Sequence, residues 1–181
     1  MASKEWLMLD FMIPKEPSRV RVSVWRKLKK TGSVPLGQSL WVLPDSTEHL
    51  DVLTAISDEI RANKGEAYVL RATLTDPERE VNVRNLFNDA RNGEYKEFLE
   101  DCADLIEDVG KRLKKRKFKE SKVEKFQREL EKITEHFARI ESRDFFGAPS
   151  QARARGEVEA CTALYDRYCT EVSKHESVQK T

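Results

Sequence analysis

The densest chemistry in this sequence is cationic. Residues 111–122 read Lys-Arg-Leu-Lys-Lys-Arg-Lys-Phe-Lys-Glu-Ser-Lys, eight bases against Glu120 alone, a local net charge of +7. Residues 94–108, just before it, hold seven acids against Lys96, a net −6. Like charges this dense repel one another, so the run needs strong solvation, its acidic neighbour or a partner. A phosphate backbone is such a partner, because each contact releases a condensed counterion. Lys111, Arg112, Lys114, Lys115, Arg116 and Lys117 are therefore candidate nucleic-acid or anion ligands. The competing reading is a solvated helix end that faces the acidic segment.

A second basic set lies on one predicted helix. Arg19, Arg26 and Lys30, with Ser23, fall on the face opposite Val24, and Arg21 and Lys29 flank them. Arginine suits oxyanions because its planar fork meets two oxygens at once. The helix start at Ser18-Arg19 adds backbone donors and the positive dipole end. DNA phosphate or a free tetrahedral oxyanion such as sulfate or chromate would fit, and a solvated face is the plainer alternative. Trp25 sits at the edge of the apolar stripe and is expected to be partly exposed.

Catalytic signals are sparse. Asp10 interrupts an apolar strand, which calls for an exposed strand end or for an Arg or metal partner, since a buried unpaired carboxylate costs several kcal/mol. His49, His136 and His175 lie in no metal-ligand spacing, and no nucleophile elbow or phosphate loop occurs. Cys161 and Cys169 are eight residues apart on one predicted helix and read as small core residues. No cofactor is called for, and a regulatory protein fits better than an enzyme.

The whole-chain balance narrows the partners. Lys and Arg number 33 and Asp and Glu 32 in 181 residues, so the net charge is +1. A bulk polyanion binder is excluded, and any anion site must come from local clustering. Charged residues make up 36% and hydrophobic ones 39%, so the apolar side chains must lie on stripes to make a core. Three cysteines at wide spacings make no disulfide framework and point to a reducing compartment. The early apolar stretch is short and broken by Asp10, so the expectation is a cytoplasmic protein with no membrane role.

The elements that must position these residues change period after about residue 75. Residues 6–13 read as a buried strand, ended by Pro14 and Pro17. A helix from Pro17-Ser18 to about Thr31 carries Val20, Val24, Leu28 and Thr31 on one face and closes at Gly32. Short strands follow at 34–36 and 40–43. Asp45 or Ser46 caps a helix with the stripe Leu50, Leu53, Ile56 and Ile60. Asn63-Lys-Gly65 stops it before a strand at 67–70. The order β-α-β-β-α-β makes an α+β, ferredoxin-like sheet with both helices on one face the most economical arrangement, over residues 1–75. Residues 76–181 read as helical: a short helix at 81–91, then seams through Tyr95, Phe98, Cys102, Leu105 and Val109, through Val123, Phe126, Leu130, Ile133, Phe137 and Ile140, and through Val158, Cys161, Tyr165, Tyr168 and Val172. An antiparallel bundle or hairpin is expected, with enough seam to bind a second copy, so a homodimer is the expected assembly.

Several strings resemble the N-terminal domain family of the chromate-resistance protein ChrB. They are Pro17-Ser-Arg-Val-Arg-Val-Ser-Val-Trp-Arg-Lys-Leu28, Gly32-Ser-Val34, Ser39-Leu-Trp-Val-Leu-Pro-Asp45, Gly65-Glu-Ala67, Val69-Leu-Arg-Ala72 and Asp144-Phe-Phe-Gly-Ala-Pro149, within a similarity over roughly residues 6–170. The resemblance implies a chromate-responsive regulator from a bacterial chromate-resistance operon, with Arg19, Arg21 and Arg26 inside the signature string. The family usually carries a second, C-terminal domain of similar size, which these residues do not include; if anion sensing resides there, the expectation is DNA or partner binding without sensing. The layout also resembles the small CRISPR-associated ferredoxin-like nucleases and the central domain of the PaaX repressors. In those nucleases an Asp at the end of the first strand is proposed to bind a metal, and Asp10 stands in a comparable place. A divalent-metal nuclease and a non-DNA-binding oxyanion or interaction module are the alternatives.

Overall fold

The computed structural model describes residues 5–14 and 18–179; Pro17, read as part of the helix opening, lies outside them. The elements are β1 (Glu5–Met12), α1 (Ser18–Lys30), β2 (Val34–Pro35), β3 (Leu40–Pro44), α2 (Thr47–Ala62), β4 (Glu66–Thr73), α3 (Pro77–Lys114), α4 (Glu120–Glu141) and α5 (Gln151–Gln179). The fold class is α+β, as expected. By contact, the chain divides into one unit of residues 1–90 and 143–146 and a second of residues 91–142 and 147–181.

The first unit is the sheet. Its order is β2-β3-β1-β4 with every pairing antiparallel, the ferredoxin-like order that two crossover helices and a central hairpin require. β1 lies in the centre, with Leu7 opposite Leu43 and Arg71, and Asp10 opposite Leu40 and Tyr68. Side chains alternate across the pleat, so Leu7 and Leu9 share one face and Trp6, Met8 and Asp10 the other. The first face packs with the buried stripes of α1 (Val20, Val24, Leu28) and α2 (Leu53, Ile56, Ile60). On the second face Trp6 lies against Phe87 and Phe146, while Met12, Tyr68 and Leu70 remain exposed. The Asp144–Pro149 string is therefore more than a turn. Phe145 and Phe146 enter the sheet unit's core, where Phe145 meets His49 and Phe87 edge-on.

Local stop signals are satisfied in detail. Ser46 caps α2, accepting from the His49 N–H at 3.1 Å. At the other end Lys64 takes φ +61°, and the Gly65 N–H donates to the Ile60 carbonyl at 3.0 Å, a Schellman closure. A β-carbon on Gly65 would lie 2.6 Å from Ile60 Cγ2 and 2.7 Å from the Met12 carbonyl oxygen. Because one of those neighbours is backbone, Gly65→Ala is expected to cost about 1–3 kcal/mol. A chemical melt in which the variant matches the parent would show that the turn can yield.

The second unit is a three-helix arrangement. Its core runs through Tyr95, Phe98, Cys102, Leu105 and Val109 of α3, Phe126, Ile133, Phe137 and Ile140 of α4, and Ala154, Cys161, Tyr168 and Val172 of α5. Phe98 meets Phe137, and Asp108 meets Lys125, so α3 and α4 run antiparallel. Phe126 meets Tyr168, and Glu141 pairs with Arg155, so α4 and α5 do the same. One expectation is corrected: the separate helix at 81–91 and its successor are a single helix, α3, of 38 residues. A glycine inside a helix costs only about 1 kcal/mol, and nothing lies within 4 Å of the place a Gly93 β-carbon would take.

Candidate nucleic-acid interface

On α1 the apolar stripe faces the core, and the cations point away from it. Arg19, Arg26 and Lys30 are exposed and, among the described residues, form no ion pair. Trp25 is 51% exposed and Val22 45%. The Lys29 ammonium lies 5.5 Å from the Trp25 ring centre and 5.9 Å from that of Trp41, a contact in which the ring's negative face attracts the cation. The result is an indole projecting to solvent beside Lys29, on a helix whose exposed side also carries Arg19, Arg26 and Lys30.

Two expected members of this face lie elsewhere. Arg21 turns back toward the strand connection and donates to the Pro14 carbonyl at 3.4 Å. Ser23 donates to Glu59 of α2 at 3.2 Å, because its position lies only a quarter turn from the buried Val24. Glu59 also pairs with Lys27, which takes that cation out of the free set. At the C-terminal end of α1, Arg143 donates to the Lys29 carbonyl at 3.3 Å, a guanidinium on the negative end of the dipole.

The basic run splits in two. Lys111 pairs with Glu107 at 2.7 Å and Arg112 with Asp108 at 3.1 Å, each across one helical turn. Lys114, Lys115, Arg116 and Lys117 are exposed and form no ion pair among the described residues. The acidic segment is answered from α4 instead, by Lys125 on Asp108 at 3.1 Å and His136 on Asp101 at 3.3 Å. Burial pushes the Asp108 carboxyl up, but the hydrogen bond and charge of Lys125, with Arg112, outweigh it and hold the group below the usual carboxylate range. The two charge blocks thus neutralise each other only at their junction.

The turn that carries the free cations is held in place. α3 ends in a second Schellman closure: Arg116 takes φ +51°, and the Lys117 N–H donates to the Arg112 carbonyl at 3.0 Å. Tyr168, fully buried on α5, accepts from the Lys119 N–H and donates to the Lys117 carbonyl, both at 3.2 Å. Three basic residues beside this turn, Arg167, Lys174 and His175, were not picked out as anion ligands from the sequence. They are spread along α5, and only packing brings them to the turn.

The other candidates gain little. Asp10 is half-buried opposite Leu40 and Tyr68, and among the described residues no group of three or more His, Cys, Asp or Glu is placed to hold a metal ion. Cys161 is buried, Cys169 only partly so, and the thiol neighbour of Cys161 is Cys102 of α3, whose carbonyl lies 3.8 Å from the Cys161 sulfur. The hydrogen bond with Cys161, together with burial, pushes the Cys102 thiol up, which keeps it protonated and unreactive.

Chemically, the exposed guanidinium and ammonium groups of these sites can meet an anion, and Trp25 offers a flat apolar surface to solvent. No described helix is long and apolar enough to cross a membrane. Among known proteins, no curated protein and no solved structure matches this chain. The family model described as protein ChrB, N-terminal, matches residues 21–179, which includes α1 from Arg21 onward, the basic run and the Phe145-Phe146 plug. The chain therefore belongs to the ChrB N-terminal family, and its role lies in chromate resistance.

Proposed function

We propose that the chain is a DNA-binding regulatory protein of a chromate-resistance operon, acting in the cytoplasm as a homodimer. The observation that carries this reading is the outer side of α1, where a half-exposed Trp25 stands beside Lys29 and Arg19, Arg26 and Lys30 are exposed, none of the four cations in an ion pair among the described residues. Arg19, Arg26 and Lys30, solvated and held at fixed helical spacing, bind phosphate without first breaking an ion pair. An exposed indole on the same helix gives a base or sugar a flat apolar surface. Lys114, Lys115 and Lys117 extend the set of phosphate ligands, and a dimer would double it.

A gel-shift titration on the operon's own promoter, run over a salt series with and without chromate, tests the reading. Binding should weaken steeply, with log K falling linearly in log salt by roughly 0.9 per phosphate contact. Chromate should shift the binding curve at constant ionic strength. Binding that is absent, or flat across salt, would overturn the phosphate-contact mechanism.

A further inference from the structure

The turn between α3 and α4 borders a cleft of about 790 Å³ in the helical unit, and its wall is cationic. Arg116 comes from the turn after α3, and Arg167, Lys174 and His175 come from α5. The one acid on the wall, Glu171, pairs with Lys174 at 3.0 Å. Three permanent cations against one carboxylate leave a net charge of about +2 when His175 is neutral. Two of the cations are arginines, whose forks suit a tetrahedral oxyanion better than an ammonium does.

The backbone adds a second, independent observation. Arg116 holds φ +51°, at the helix-closing position where glycine is favoured because it has no β-carbon to clash. A local strain of this kind persists where the surrounding structure over-determines it. The turn is not free to relax, since Tyr168 bonds to both Lys117 and Lys119, and Phe118 packs beside Tyr168 and His175.

We propose that this cleft is a binding site for a doubly charged tetrahedral oxyanion, either the free inorganic ion or a phosphate monoester, gripped by Arg116 and Arg167 with Lys174 and His175 completing the ring. The charge excess matches a dianion better than the single charge of a backbone phosphodiester. The proposal rests on the helical unit alone and stands or falls apart from promoter binding.

The test is calorimetric titration of the full chain with inorganic phosphate, with sulfate and with a nucleoside monophosphate, against chloride at matched ionic strength. Phosphate and sulfate should saturate at one site per chain, and chloride should give no saturable heat. A nucleoside monophosphate that binds at least as well identifies a monoester as the occupant, and one that fails identifies the free ion. Arg116→Gly is the decisive variant, because it removes the guanidinium while relieving the backbone. It should melt at or above the parent's temperature and bind the anion roughly tenfold or more weakly, as should Arg167→Ala. Wild-type titrations no different from chloride, or Arg116→Gly binding as tightly as the parent, would overturn the proposal.

Discussion

Replacing Arg19, Arg26 and Lys30 together by alanine is expected to weaken promoter binding at least about a hundredfold near 0.1 M salt. The slope of log K against log salt should fall by about 2.7, one counterion equivalent of roughly 0.9 for each lost contact. The fold should survive, because none of the three makes an ion pair among the described residues and alanine is the best helix former. The stripe that anchors α1, Val20, Val24 and Leu28, is untouched. Trp25→Ala separates the ring from the charges: affinity should drop with the salt slope unchanged, since an indole releases no counterion. A triple variant that keeps both the parent's affinity and its slope would mean that α1 does not touch the phosphates. The free cations Lys114, Lys115 and Lys117 would then be left to account for whatever salt dependence remains.

The sheet unit was legible because its signals are local and mutually consistent. Alternation fixes a strand, the i, i+4 stripe fixes each helix face, and Ser46 and Asn63-Lys-Gly65 mark the ends of α2. Given that element order, the handedness of crossovers leaves few sheet topologies, and the observed order is the one they favour. The cations of α1 were legible for the same reason, since the face opposite a buried stripe must meet solvent.

What escaped depends on contacts between residues far apart in the chain. Composition marks Phe145-Phe-Gly-Ala-Pro as a turn, but nothing local says that its two rings lodge against Trp6 and Phe87. Cys161 and Cys169 read as small core residues of one helix, yet the thiol neighbour of Cys161 is 59 residues away at Cys102. The helix at 81–91 and the seam from Tyr95 read as separate elements, but Gly93 between them costs a helix only about 1 kcal/mol, and the packing of Tyr95 and Phe98 beyond it outweighs that penalty. The cleft beside Arg116 is the sharpest case. Its Arg116 belonged to a visible run, but Arg167, Lys174 and His175 sit on α5, at positions that read as an ordinary solvated helix face until the bundle is assembled.

The plug at Trp6 should carry the largest stability effect in the molecule. Its side chain is fully buried, and its indole lies 5.9 Å from the Phe87 ring at 18° between planes and 5.9 Å from Phe146. Trp6→Ala removes the ring that packs against both and is expected to cost about 3–5 kcal/mol, a large share of the roughly 5–15 kcal/mol that holds a domain folded. Trp6→Phe should behave differently. The Trp6 Nε1–H is buried with no hydrogen-bond partner among the described residues, a group whose desolvation costs about 1–3 kcal/mol. Phenylalanine discards that orphan donor and keeps a ring against Phe87, so the lost volume and the relieved N–H should offset to within about 1 kcal/mol. Urea melts followed by circular dichroism would rank the three proteins. If Trp6→Ala stays within 1 kcal/mol of the parent, the aromatic stack does not hold the sheet unit together. If Trp6→Phe falls as far as Trp6→Ala, the indole N–H has a partner after all. The same pair bears on function, because α1 is packed on that sheet. Trp6→Ala should lose promoter binding in proportion to the unfolded fraction and leave the salt slope of the folded remainder intact, which is the opposite of the signature expected for the α1 charge variant.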